Sequence, residues 1–293
     1  MAFEAYIINL LILIGIFSIL AISLNLAMGF TGLLNIGHIA FYGIGAYTSA
    51  LLALSLGVPF WIGLVAGGLL AAFFGLILAI PTIKLRGDYL ALATLAFAII
   101  MESIFRNWIS LTRGPLGLPG IPKPVFFGLT LSGFSYLILV FVFVIITYLF
   151  ITRLTKSPFG RVLKAIREDE LVAKSLGKNT LKFKTIALVI SAFFAGIAGS
   201  LYAHYITFID PSTFSILESI LVIAMIIIGG LASVPGAVVG AFIVLLIPEV
   251  LRFLPIPSYA IGAVRQILFA LILVILLIKR PQGILGEFAF KKK

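Results

Sequence analysis

Apolar positions along this chain come in long unbroken runs, and short polar stretches punctuate them. The first run covers 6–27, with Ser23 and Asn25 near its end. Further runs cover 28–56, 59–80, 89–105, 134–151, 185–208 and 214–229, then one ending near 251 and a last one at 259–278. Each approaches the roughly 20 apolar residues that a bilayer-crossing helix needs. The pattern predicts an all-α polytopic transmembrane helical bundle of about nine spans (eight to ten by how the ambiguous runs are counted), folded as one domain over 1–293.

Two stretches depart from the simple span pattern. Residues 28–56 read MGFTGLLNIGHIAFYGIGAYTSALLALSL, with five glycines between Gly29 and Gly45 beside Asn35 and His38. Glycine lets helices approach closely and also breaks them. Backbone freed by a break is tolerated at membrane depth only where protein or a cavity satisfies it. This stretch is therefore expected in the bundle interior, as a discontinuous helix or as ordinary small-residue packing. The second, 106–133, is dense in Pro and Gly and predicts an irregular loop with room for a short helix. Pro81 is expected to stop the third span, Gly196 and Ser200 to form a small-residue helix contact, and Asp210 to cap the next helix. Glycine-rich stretches near 29–45 and 229–240 fall in opposite halves, the placement an inverted repeat would give.

The one long polar run is 153–184, RLTKSPFGRVLKAIREDELVAKSLGKNTLKFK. Its nine cations against Glu168, Asp169 and Glu170 leave a net +6, more than half of the chain's +11. Hydrocarbon cannot host such a run. The positive-inside rule places it in the cytoplasm. Alternation then puts Lys84, Arg86 and the terminal Lys291 to Lys293 on the same side, with the N-terminus and the 106–133 loop outside. Within the run, 161–176 can form one amphipathic helix with Val162, Ala165, Ile166, Leu171, Val172 and Leu176 on its apolar face. Such a helix either docks on a partner or lies on anionic lipid headgroups.

Composition sharpens this picture. At 62% hydrophobic and 11% charged, the 293-residue chain is an integral membrane protein. Its basic balance does not point to nucleic acid, because the cations gather at span ends and in one segment. With no Cys, disulfides, thiolate metal sites and Cys nucleophiles are excluded. The N-terminal run lacks a basic leader region and reads as a retained first span. No GxxxxGK[ST], HExxH or GxSxG occurs, and His38 and His204 stand apart with no carboxylate beside them, so an enzyme is a minor alternative. Glu102, Glu218, Glu249 and Arg265 sit near span ends, where snorkelling or capping accounts for them. That weighs against a self-powered carrier or channel and leaves transport driven by an external energy source.

Four motifs carry a resemblance over nearly the whole chain. They are SLNLAMGFTGLLNIGHIAFYGIGAYTSALL at 23–52, RGDYLALATLAF at 86–97 followed by TRGPLGLPGIP, GRVLKAIREDELVAKSLGKNTLKFKTIALVISAFFAGIAGSLYA at 160–203, and GGLASVPGAVVGAF at 229–242. In this order they resemble the permease subunits of ABC importers for branched-chain amino acids, and among those the M-type more than the H-type. The family's cytoplasmic loop carries a coupling helix that docks on an ATPase, often with an E-A-A-x-x-x-G pattern. Here Val172, Ala173 and Gly177 align, while Leu171 stands at the Glu position and Glu170 one place earlier.

The resemblance implies a plasma (inner) membrane permease of a prokaryote that moves leucine, isoleucine or valine. Urea, amides and other amino acids are alternatives, since related permeases carry them. It implies an H-type permease partner, two cytoplasmic ATPases that bind ATP and Mg, and an external substrate-binding protein. The permease itself then binds no cofactor and lacks catalytic and metal residues. Docking falls to Glu168, Asp169, Glu170, Leu171, Val172, Ala173, Leu176 and Gly177. The small and polar residues Asn25, Asn35, Gly37, His38, Gly43 and Tyr47 are the candidates for lining the path.

Overall fold

The computed structural model describes residues 2–85, 87–126, 128–251, 271 and 283–286. Helix α1, Ala2–Asn25, continues into a π-helical turn, Leu26–Phe30, and the chain then leaves the helix at Gly32, whose φ of 74° suits only glycine. Residues 31–37 are irregular before α2, His38–Leu56, which Gly57 ends in the left-handed region. The expected interior break is therefore real. It lies at 31–37, between two helices and not within one.

Helices α3, Phe60–Thr82, and α4, Asp88–Asn107, come next. Pro81 does not stop α3 but sits in its final turn, and the helix ends one residue later. The 106–133 region holds the single turn α5, Ile109–Thr112, a 3-10 turn at Gly114–Leu116, and three two-residue strands: β1, Leu118–Pro119, β2, Val125–Phe126, and β3, Leu129–Thr130. Then come α6, Phe134–Lys156, α7, Pro158–Glu168, α8, Glu170–Ser175, and α9, Thr180–Ile206. Strand β4, Phe208–Ile209, pairs antiparallel with β1 in the register Leu118↔Ile209, and β2 pairs with β3. A 3-10 turn, Pro211–Phe214, leads into α10, Ile216–Gly229, and α11, Val234–Leu251. Asp210 does cap, its carboxylate accepting from Thr213 N at 2.9 Å.

Three helices, α2, α3 and α9, form the densest part of the bundle, and glycine makes their crossing possible. A Cβ on Gly45 would run into the backbone of Gly196, one on Gly199 into the carbonyl of Tyr42, and one on Gly67 into Ser200 and Gly45. Without a hydrophobic force between helices in lipid, such backbone approach supplies the packing and admits hydrogen bonds. Ser200 Oγ donates to Gly45 O at 3.1 Å. The outer faces of α3, α4 and α6 expose Ile62, Leu69, Phe73, Leu92, Ile100, Phe141 and Leu149. Such a surface belongs in hydrocarbon.

Contacts order the two ends of the bundle. Gly63 meets Ser49, Gly67 meets Ser200 and Gly75 meets Ala192, so the Thr82 end of α3 lies with the Thr180 end of α9. Asn9 near the start of α1 accepts a hydrogen bond from Tyr205 at 2.8 Å, at the other end. The N-terminus and the 106–133 loop thus share one end, and Lys84 and the basic run share the opposite one, as the alternation required. Arg86, Arg265, the 259–278 run apart from Leu271, and the C-terminal lysines lie outside the described residues.

Among the described residues, six helices are long and apolar enough to cross a membrane: Glu4–Phe30, α2, α3, α4, α6 and α9. The run expected as span seven is short, whereas the run expected as span eight forms the 18-residue α11. Helix α10 has 14 residues, about 21 Å, against a hydrocarbon core of about 30 Å. Together α10 and α11 make a helical hairpin. Its open end, with Glu218 and Glu249, lies beside Leu10 and Leu13 of α1, and its apex at 230–233 stops against Asn25. From beneath, Ile284 N and Leu285 N donate to Ile228 O and Gly229 O at 3.0 and 2.9 Å, satisfying carbonyls that the end of α10 leaves free.

Candidate docking segment and the broken-helix site

The basic run folds as two helices, not the single amphipathic helix expected over 161–176. Ser157 accepts from Gly160 N and Pro158 takes the first helical position, both N-terminal signals for α7. Asp169 then leaves the helical region, at φ −154° and ψ 108°. Its Oδ1 accepts from Leu171 N at 2.8 Å and Val172 N at 3.1 Å, starting α8 afresh. An Asp within a helical run competes in this way by offering local acceptors to the backbone. The kink divides the apolar face. Leu163 and Ile166 of α7 are buried in the bundle, whereas Leu171, Val172 and Leu176 are 59%, 55% and 72% exposed.

The docking candidates therefore sort by position. Glu168 is exposed and pairs with Arg167 at 2.8 Å, and Asp169 is a cap. Glu170 faces inward. Its carboxylate meets Lys184 Nζ at 2.6 Å, Lys174 Nζ at 3.0 Å and Thr180 Oγ1 at 3.1 Å, with side-chain exposures of 14% for Glu170 and 7% for Lys184. Burial by itself disfavours this carboxylate, but hydrogen bonds from Lys184, Lys174 and Thr180 outweigh it and bring the pKa down to about 2. Ala173 is buried at 2% exposure. Gly177, at φ 74°, closes α8 by donating to Lys174 O at 2.9 Å, with open space around its Cα. What α8 offers outward is a small apolar patch, held rigidly beneath by a cap, an ion-pair cluster and a buried alanine.

All six path candidates are buried, but only Asn35, Gly37 and His38 lie at the break or its edge; Asn25 sits at the end of α1, and Gly43 and Tyr47 lie further along α2 against Phe105. Thr94 bridges the irregular backbone, donating to Leu34 O at 3.2 Å and accepting from Ile36 N at 3.1 Å, while Ser219 donates to Ile36 O. His38 holds Ser23 Oγ at 2.9 Å and faces the Asn35 amide at 3.4 Å. Asn35 borders a void of about 10 Å³ beside Leu34, Thr82 and Thr94. Gly37 lies against the backbone of Thr94, Gly43 against Phe105 and Phe214, and Tyr47 stacks on Phe105 at 4.5 Å between centroids. Asn25 donates to Ser233 O at 2.8 Å and accepts from Ala232 N at 3.0 Å, which pins the hairpin apex.

Several of these partnerships have no signal in the residue order. Arg167 stands there only as one of nine cations, yet its Nη1 donates to Gly29 O in the π turn at 2.7 Å. Lys164 sits 5.7 Å from the centre of the Phe30 ring. His204, isolated in sequence, bonds Ser49 Oγ at 2.8 Å and Pro122 O at 2.6 Å. The carbonyl contact requires the proton on Nδ1, so Nε2 accepts from Ser49 and the ring ties the 106–133 loop to α2 and α9.

A multi-pass bundle with a packed glycine core, an interrupted pair of interior helices and a capped polar segment at one end is the architecture of a membrane permease. The chain belongs to the family described as branched-chain amino acid transport system / permease component, whose model matches residues 6–277. It is 37% identical to the high-affinity branched-chain amino acid transport system permease protein LivM of Escherichia coli K12, over 92% of this chain and 68% of that one. It is 28% identical to the LivH permease of Salmonella typhimurium LT2, over 92% of this chain and 91% of that one. Among solved structures, PsaBC from Streptococcus pneumoniae in complex with Fab overlaps at a TM-score of 0.46 and 17% identity, covering 93% of this chain and 91% of that one. The greater similarity to the M-type relative agrees with the resemblance in the four motifs.

Proposed function

We propose that this permease carries branched-chain amino acids across the plasma membrane of a prokaryote, as one half of a translocation pathway completed by an H-type permease. Energy comes from ATP and Mg bound on two separate cytoplasmic ATPases, and substrate arrives from an external binding protein. The end bearing the basic run is cytoplasmic, and the N-terminus lies outside. The observation that carries this reading is α8. Its exposed Leu171, Val172 and Leu176 stand out from a cationic segment at one end of the bundle, a surface that suits a groove on a partner protein. Glu168 supplies charge at the rim of that surface, whereas Asp169, Glu170, Ala173 and Gly177 build the helix that presents it.

The broken stretch 25–47 governs the path, because it concentrates polar residues at the irregular backbone between α1 and α2. The test is capture and uptake in vesicles holding the full assembly. Changing Leu171 and Leu176 to Asp is expected to lower ATPase capture at least about tenfold and to abolish leucine uptake, with membrane insertion intact. Unchanged capture would refute docking through α8. Competition of leucine uptake by isoleucine and valine, set against urea and short amides, reads the substrate class.

A further inference from the structure

Between the docking surface and the bundle interior runs a short series of polar contacts. Helix α7 carries α8 at its end, and Arg167 in its last turn donates to Gly29 O at 2.7 Å, with only 11% of its side chain exposed. The carbon stem of Arg167 also packs on Gly32, where a Cβ would come within 3.0 Å of it. Gly29 belongs to the π turn, a form frequent at functional sites. One turn earlier, at the end of α1, Asn25 holds both Ser233 O and Ala232 N of the hairpin apex. Ala232 has φ 59°, a left-handed conformation unusual for a residue with a side chain, which the two Asn25 hydrogen bonds brace.

We propose that Arg167 and Asn25 are positioning residues that form a two-joint linkage, passing displacement of α8 through the π turn to the α10–α11 hairpin. The inference rests on the reading of α8 as the ATPase-docking helix. A guanidinium bonded to a main-chain carbonyl transmits a pull on α7 directly to α1, because the bond moves backbone and not a flexible side chain. The π turn can take up such a pull, since its hydrogen-bond ladder is already irregular there: Leu33 N donates to Ala27 O and Gly32 N to Met28 O. Both Asn25 bonds engage main chain as well, so the apex must move with α1 or break away from it. An amide is required at this joint. Asp would lose the donor to Ser233 O, and Leu would lose both partners.

The linkage is tested in vesicles containing the complete assembly with its ATPases and binding protein, by measuring leucine uptake and ATP hydrolysis on the same preparation. Arg167→Ala and Asn25→Asp are expected to retain ATPase capture and hydrolysis while uptake per ATP falls about tenfold or more. Arg167→Lys, which keeps a donor near Gly29 O, is expected to recover part of the ratio. Because both residues act in one series, the double variant should be no worse than the worse single, a non-additivity that separates linkage from two unrelated losses of stability. Uptake per ATP unchanged in both single variants, or losses that multiply in the double, would overturn the proposal. Failure of the docking reading shows differently, as unmodified protein that neither captures the ATPase nor takes up leucine in an ATP-dependent way. If Arg167→Ala fails to insert, Arg167→Lys and Asn25→Asp carry the test alone.

Discussion

Replacing Glu170 by Ala isolates what holds α8 to the bundle. Lys184 is 7% exposed on its side chain and its ammonium lies 2.6 Å from this carboxylate, so the change leaves a cation in a largely dehydrated site. Breaking a buried pair from one side costs about 3–5 kcal/mol. The 14% exposure of Glu170 admits some water, which favours the lower figure, about 3 kcal/mol. Helix α8 has only six residues and cannot persist alone, so the loss should appear as local release of 169–179. Trypsin reads this through Lys174, whose peptide lies within α8 and must unwind before it is cut. When closing outpaces cleavage, the cutting rate tracks the open population, and about 3 kcal/mol raises it roughly 150-fold. Thr180 and Lys174 lose a partner too, but Lys174 reaches solvent more easily than Lys184. The paired change Glu170→Leu with Lys184→Met should restore most of the protection, because it removes the stranded charge instead of exposing it. A cleavage rate within about twofold of the parent for Glu170→Ala would refute the argument that this pair anchors α8.

The same carboxylate predicts a pH dependence. Its folded pKa is lowered to about 2, so its stabilisation is complete above the ordinary carboxylate range and is lost as pH falls from about 4.5 towards 2; hydrogen exchange of 169–179 should accelerate only within that window. Gly199→Ala drives a methyl group into the Tyr42 carbonyl at a crossing of two backbones, and should lower the yield of monodisperse protein and the thermal midpoint in detergent, by about 3 kcal/mol of stability. His204→Ala removes the tie between Ser49 and Pro122, so proteolysis at Lys123 should rise about tenfold or more.

Much of this protein was legible in the residue order. Apolar run length decides which segments can lie in hydrocarbon, so α1 to α4, α6 and α9 fell close to their expected places, and the charge of 153–184 set it at one end with Lys84. Turn chemistry was equally local: Asp210 caps, because a cap needs only its neighbours. What tertiary structure decided were matters of partnership. Asp169 could have continued a helix or started one, and the choice comes from Glu170 finding Lys184 and Thr180 across the turn. The apex of the α10–α11 hairpin rests where Asn25, over 200 positions away in sequence, satisfies it at the end of α1. Arg167 looks like any surface cation until the fold brings Gly29 O within reach. Hydrophobicity and turn propensity are properties of short windows and can be read in order. A hydrogen bond between distant segments depends on where helices cross, and here glycines that permit backbone contact set those crossings.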